Sequence, residues 1–133
     1  MNIQDSSEDK INKFYATLEE EIISCEQENC GLIAELDCNA KLGREIIKGD
    51  PNSMSVNGRI LWEIIQRQEC TVVNATEMCH GTITRSRMKG ATKEESVLDY
   101  VIVNSLVLPF INKMFIDEEK TKALTRYTKG TAI

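Results

Sequence analysis

Apolar positions along the chain follow a helical period first and a strand period afterwards. Ile11, Phe14 or Tyr15, Leu18, Ile22 and Cys25 recur at three- and four-residue spacing, which predicts an amphipathic helix over about residues 8–28. Ser6-Ser7-Glu8-Asp9 offers it a cap-like start with acids in the first turn, and Glu19, Glu20 and Glu21 fall mainly on its wet side. Asn29-Cys30-Gly31 breaks the helix ahead of an apolar strand, residues 32–36, read as buried on both faces. Residues 40–57 concentrate turn formers (Gly43, Gly49, Asp50-Pro51-Asn52) and read as a long surface loop. Asn57 is placed to cap a second helix carrying Leu61, Ile64, Ile65 and Gln68 on one face, with Trp62 to its side and Glu69 at its end. Strands are expected at 70–74, 81–87 and 96–103. The last is long, with Val97, Asp99, Val101 and Val103 on one face and Ser96, Leu98, Tyr100 and Ile102 on the other. A short helix at 105–114, with Pro109 near its first turn, and two short strands around 115–117 and 120–127 complete the order. That order gives one α/β (α+β) domain over residues 1–133, a mixed sheet with flanking helices.

Composition narrows the class. With 41% hydrophobic and 28% charged residues the chain fits a folded domain with one core. Its densest apolar run, 101–111, is interrupted by Asn104, Ser105 and Pro109, and its first ten residues are acidic and polar. No membrane association is expected, and an intracellular setting, cytoplasm or nucleus, is. The net charge of -5 is unevenly spread: residues 1–35 carry nine acids against Lys10 and Lys13, leaving the remainder net positive. Arg85, Arg87, Lys89 and Lys93 form one basic cluster and Lys120, Lys122, Arg126 and Lys129 a second, suited either to positioning a phosphate backbone or to facing solvent. Five cysteines, an odd number, read as reduced thiols. A zinc site drawing on Cys25, Cys30, Cys79 and His80 is the alternative, without the close pairing structural zinc sites use.

Candidate chemistry starts where the first strand ends. In an extended chain Asp37 and Asn39 share a face, which puts an acid and an amide side by side; the same pair also suits an Asx-turn or a cap. Asp99 lies within an apolar strand, where a carboxylate is expensive to bury unless it is paired. It is therefore either a site residue or a structural aspartate.

Leu36-Asp37-Cys38-Asn39-Ala40, Asn57-Gly58-Arg59-Ile60-Leu61, Gly81-Thr82-Ile83-Thr84 and Ser96-Val97-Leu98-Asp99-Tyr100-Val101 follow one another in order. Together they resemble the second half of the endonuclease/exonuclease/phosphatase family, in particular the apurinic-endonuclease-like domains attached to retroelement reverse transcriptases. The resemblance implies part of a four-layer αββα sandwich and Mg²⁺- or Mn²⁺-dependent hydrolysis of nucleic-acid phosphodiesters, DNA foremost. It implies Asp37 as the group orienting the attacking water, Asn39 as holding the scissile phosphate, and both as metal ligands. Asp99 would match the aspartate that orients a catalytic histidine, and Thr82 a hydroxyl near the phosphate, with Arg85 and Arg87 on the substrate side.

The chain departs from the pattern at Leu36, where the family has glycine, and at Cys38, where it has an aromatic residue. No Ser-Asp-His follows Asp99, and the metal-binding glutamate belongs to the preceding half-domain. The catalytic set is thus incomplete, which implies weak activity or none from this chain alone, with a non-catalytic interaction module or retroelement-derived remnant as the alternative. A half-sandwich also leaves a sheet face bare, so a homodimer or a covering protein is expected.

Overall fold

The computed structural model describes residues 3–118 and 131–132, with side chains described over 8–118. The expected strand at 120–127 and the second basic cluster lie outside the described residues. Helix α1 spans Ile3–Gln27, beginning ahead of the expected cap at Ser6. It turns Tyr15, Leu18 and Ile22 into the core and leaves Ile11 and Phe14 largely exposed. Of the two adjacent aromatics, it is Tyr15 that faces inward. Asn29 closes the helix in a left-handed conformation (φ 59°), with Cys30 N–H bonded to Cys25 C=O and Asn29 N–H to Glu26 C=O, a Schellman ending. Helix α2, Val56–Arg67, ends the same way through Glu69 (φ 55°). Its cap is Ser55, not Asn57: the Ser55 hydroxyl accepts from Gly58 N–H at 3.0 Å and also from Lys41 N–H at 2.9 Å. The first turn rests so closely on Lys41 that a Cβ on Gly58 would lie 1.9 Å from the Lys41 carbonyl oxygen.

The mixed helix-and-strand class is as the order predicts, but the strands divide among three small sheets instead of one mixed sheet. β1 (Ile33–Asp37), β6 (Asp99–Val103) and β2 (Thr71–Val72) form an antiparallel sheet ordered β1-β6-β2. β3 (Cys79–His80), β7 (Met114–Phe115) and β8 (Thr131–Ala132) pair in parallel. β4 (Arg85–Lys89) and β5 (Thr92–Ser96) make a separate hairpin. The long strand expected at 96–103 is broken because Thr84 Oγ1 accepts the amides of Leu98 and Asp99, at 2.8 and 3.2 Å, where a strand partner would stand. The helix expected at 105–114 is only a 3₁₀ turn at Leu108–Phe110, with Pro109 inside its start.

β6 is the centre of the molecule, because its alternation buries both faces. Tyr100 and Ile102 meet Tyr15, Leu18 and Ile22 of α1 and Leu61, Ile64 and Ile65 of α2 in one cluster. Val101 and Val103 meet Val73, Met114 and Ile116 in a second. The bare sheet face that a half-sandwich implies is therefore confined to β1, whose outward residues Ile33, Glu35 and Asp37 are exposed, so this strand is not buried on both faces. Residues 38–55 are not a surface loop throughout, since Ala40, Leu42, Ile47 and Asp50 are buried. Leu42 N–H bonds the buried Tyr100 hydroxyl, which ties the loop to β6.

Candidate active site

The β1–β6 register pairs Asp37 with Asp99 directly. Asn104 N–H donates to the Leu32 carbonyl, and Val101 N–H points the other way, to Asn74 Oδ1. The even-numbered residues of β1 thus make the ladder bonds, and Asp37–Asp99 is a non-hydrogen-bonded pair, the kind whose side chains stand closest. Two carboxylates directly opposite repel. Arg85, the first residue of β4, answers both: its Nη2 lies 2.7 Å from Asp37 Oδ2 and its Nε 3.9 Å from Asp99 Oδ2. Side-chain exposure falls from 58% at Asp37 to 29% at Asp99, so the second acid is the more enclosed.

Asp99 is fixed on every side by its backbone. Besides the Thr84 hydroxyl on its N–H, its carbonyl accepts from Asn74 Nδ2 at 3.1 Å, while Asn74 Oδ1 takes Val101 N–H at 2.9 Å. The Asn74 amide thereby continues the β2 edge of the sheet after the chain has turned into the 3₁₀ turn Val73–Ala75. Neither Thr84 nor Asn74 is singled out by the sequence reading. Thr84 sits in the Gly81-Thr82-Ile83-Thr84 motif two residues beyond the threonine chosen, and Asn74 gives no local signal because its partners are 25 and 27 residues away.

Other expected residues are not brought to this pair. Asn39 stands exposed with φ 49°, so the extended geometry that would set it beside Asp37 ends with the strand. The amides of Thr82 and Ile83 both donate to Glu118 Oε1, and the Thr82 side chain faces Gly49. Arg87 is engaged by Glu94 at 2.8 Å, and Lys89 and Lys93 also have carboxylates within 4 Å, so the first basic cluster is a charge-paired hairpin. His80, exposed on β3, lies against the Phe115 ring with centroids 5.3 Å apart.

As a place for a hard divalent ion, Asp37 and Asp99 offer two carboxylates on one face, with Arg85 already between them. Mg²⁺ commonly takes only one or two protein carboxylates and completes its shell with water and phosphate, so the pair suits it in chemistry and number. Among the described residues no three His, Cys, Asp or Glu side chains gather for a metal. The five cysteines are free thiols; burial pushes the Cys70 thiol up to about 11 and raises those of Cys38 and Cys79. None of these three is poised as a thiolate at neutral pH. Among the described residues no helix is long and apolar enough to cross a membrane. Comparison with protein-family models, with curated proteins and with solved structures finds no match to this chain.

Proposed function

We propose that the chain is a phosphodiester-binding domain of the endonuclease/exonuclease/phosphatase type, the second half of an αββα sandwich, which acts on DNA inside the cell with weak hydrolysis or none on its own. One observation carries the reading: the aspartate that ends β1 and the aspartate that opens β6 are cross-strand partners, bridged by one guanidinium. A phosphate entering here offers Arg85 a bidentate anionic partner in place of the carboxylates. Asp37 and Asp99 would then hold Mg²⁺ or Mn²⁺. When bound, the ion neutralises the phosphoryl oxygens and acidifies a water.

The test is nicking of supercoiled DNA with Mg²⁺ or Mn²⁺, read beside amide chemical shifts during titration with the ion and a short oligonucleotide. Expected are slow nicking, lost with chelator and reduced roughly a hundredfold by Asp37→Ala or Asp99→Ala, and shifts centred on Asp37, Arg85 and Asp99. Nicking that survives both substitutions, or shifts elsewhere, sinks the proposal. A second reading, an interaction module without catalysis, is favoured by Arg85 already satisfying both acids. Under it neither ion nor DNA moves those signals.

A further inference from the structure

Two neighbouring backbone donors hold an acid of the same chain. The amides of Thr82 and Ile83 both donate to Glu118 Oε1, at 2.5 and 2.8 Å. Successive N–H groups of an extended chain point to opposite sides, so two that meet on one oxygen need a turned backbone, the concave form that collects anions. Gly81, in the left-handed region at φ 101°, starts that turn just ahead of them. It lies so close to Ile116 that a Cβ would come within 2.7 Å of the Ile116 carbonyl oxygen, and Ile116 N–H donates to the His80 carbonyl at 2.8 Å. Residues 80–83 and 116–118 are thereby held side by side. Glu118 is exposed and makes no ion pair among the described residues, so its charge is met there by the two amides and not by a cation.

We infer that the Thr82 and Ile83 amides form an oxyanion seat, which Glu118 keeps filled and which a phosphate group takes by displacing it. The inference rests on the phosphodiester reading for the nature of the anion, and it gives that site a second anchor and a built-in competitor. Carboxylate and phosphate oxygens are both charged acceptors for such donors, so the seat that holds one suits the other. The seat is near enough to Arg85 to serve the same nucleic-acid strand, since three residues of chain reach at most about 10 Å. Between them Thr84 is pinned, its N–H to the Ser96 carbonyl at 3.1 Å and its hydroxyl to the amides of Leu98 and Asp99. The seat therefore keeps its place relative to the Asp37–Asp99 pair. Glu118 is the movable member: both donors bond one oxygen at the tip of a surface side chain, whereas they themselves belong to anchored backbone. While it is seated, the apparent affinity for phosphate is reduced by the fraction of molecules in which the seat is open.

Amide chemical shifts of the full chain during titration with inorganic phosphate, set against sodium chloride at equal ionic strength, read the seat in the unaltered protein, in Glu118→Gln and in Glu118→Ala. Expected are phosphate-specific shifts of Thr82 and Ile83. Their apparent affinity rises about tenfold in Glu118→Ala and by less in Glu118→Gln, which keeps the oxygen but not the charge. Glu118 is exposed, and circular dichroism checks that each variant folds. Thr82 and Ile83 amides that ignore phosphate in Glu118→Ala, that follow chloride equally, or that respond with the same affinity whether or not Glu118 is present overturn the inference. Shifts at Asp37, Arg85 and Asp99 without any at Thr82 and Ile83 overturn the seat alone. Phosphate shifts at Thr82 and Ile83 with none at those three uphold the seat and sink the phosphodiester reading.

Discussion

Two buried tyrosines show how differently one side chain type can be used. The Tyr100 hydroxyl donates to the Val97 carbonyl at 2.8 Å and accepts from Leu42 N–H at 2.9 Å, and burial raises its pKa. The Tyr15 hydroxyl is equally enclosed but has only the Cys38 thiol beside it, a weak partner that falls short of hydrogen-bond geometry. Removing the first oxygen strands a buried donor and acceptor, whereas removing the second strands nothing. Tyr100→Phe is expected to lower stability by about 1–3 kcal/mol and Tyr15→Phe by well under 1, measured as shifts in urea midpoint at constant slope.

At the level of elements, α1 and α2 are joined at their polar margin by Glu19. Its carboxylate takes Arg67 through two nitrogens, at 2.7 and 2.8 Å, and Gln68 Nε2 at 2.8 Å. These bonds, Arg67's foremost, push Glu19 down to about 2. A carboxyl whose folded pKa is depressed adds stability that is complete above its ordinary value near 4.5 and drains away as pH falls towards 2. Arg67 is 55% exposed, so solvent screening keeps the contribution small. Arg67→Ala is expected to cost that small contribution at pH 7 and progressively less below pH 4.5, which urea titrations at several pH values would check. Equal loss at pH 7 and pH 2 would show that the cost comes from packing of the Arg67 stem.

For the whole molecule, β6 belongs to both hydrophobic clusters, so neither can loosen without the other. Val103 lies in the cluster away from the helices, and Trp62 packs against the helical one. Val103→Ala is expected to cost about 2 kcal/mol and to shift the Trp62 fluorescence transition as far as the far-ultraviolet one. Separate transitions would mean that the β3–β7 region unfolds on its own. The hairpin β4–β5 stands apart, exposed along β4 and most of β5, and touches the rest through Arg85, Thr84 and the Asn52 amide on the Glu95 carbonyl.

What lies within one turn or one strand was legible along the chain, because helical and extended geometry fix which neighbours share a face. Leu61, Ile64 and Ile65 were readable as the inner face of α2, Tyr100 and Ile102 as one side of β6, and Asn29 and Glu69 as helix ends. Contacts between distant segments depend on strand register and on which backbone groups are left unpaired, and short patterns carry neither. Only the folded chain set Asp37 opposite Asp99 and laid Arg85 between them. It also turned Asn39 away, assigned the cap to Ser55, and let the Thr84 hydroxyl interrupt a run of residues that looked like one strand.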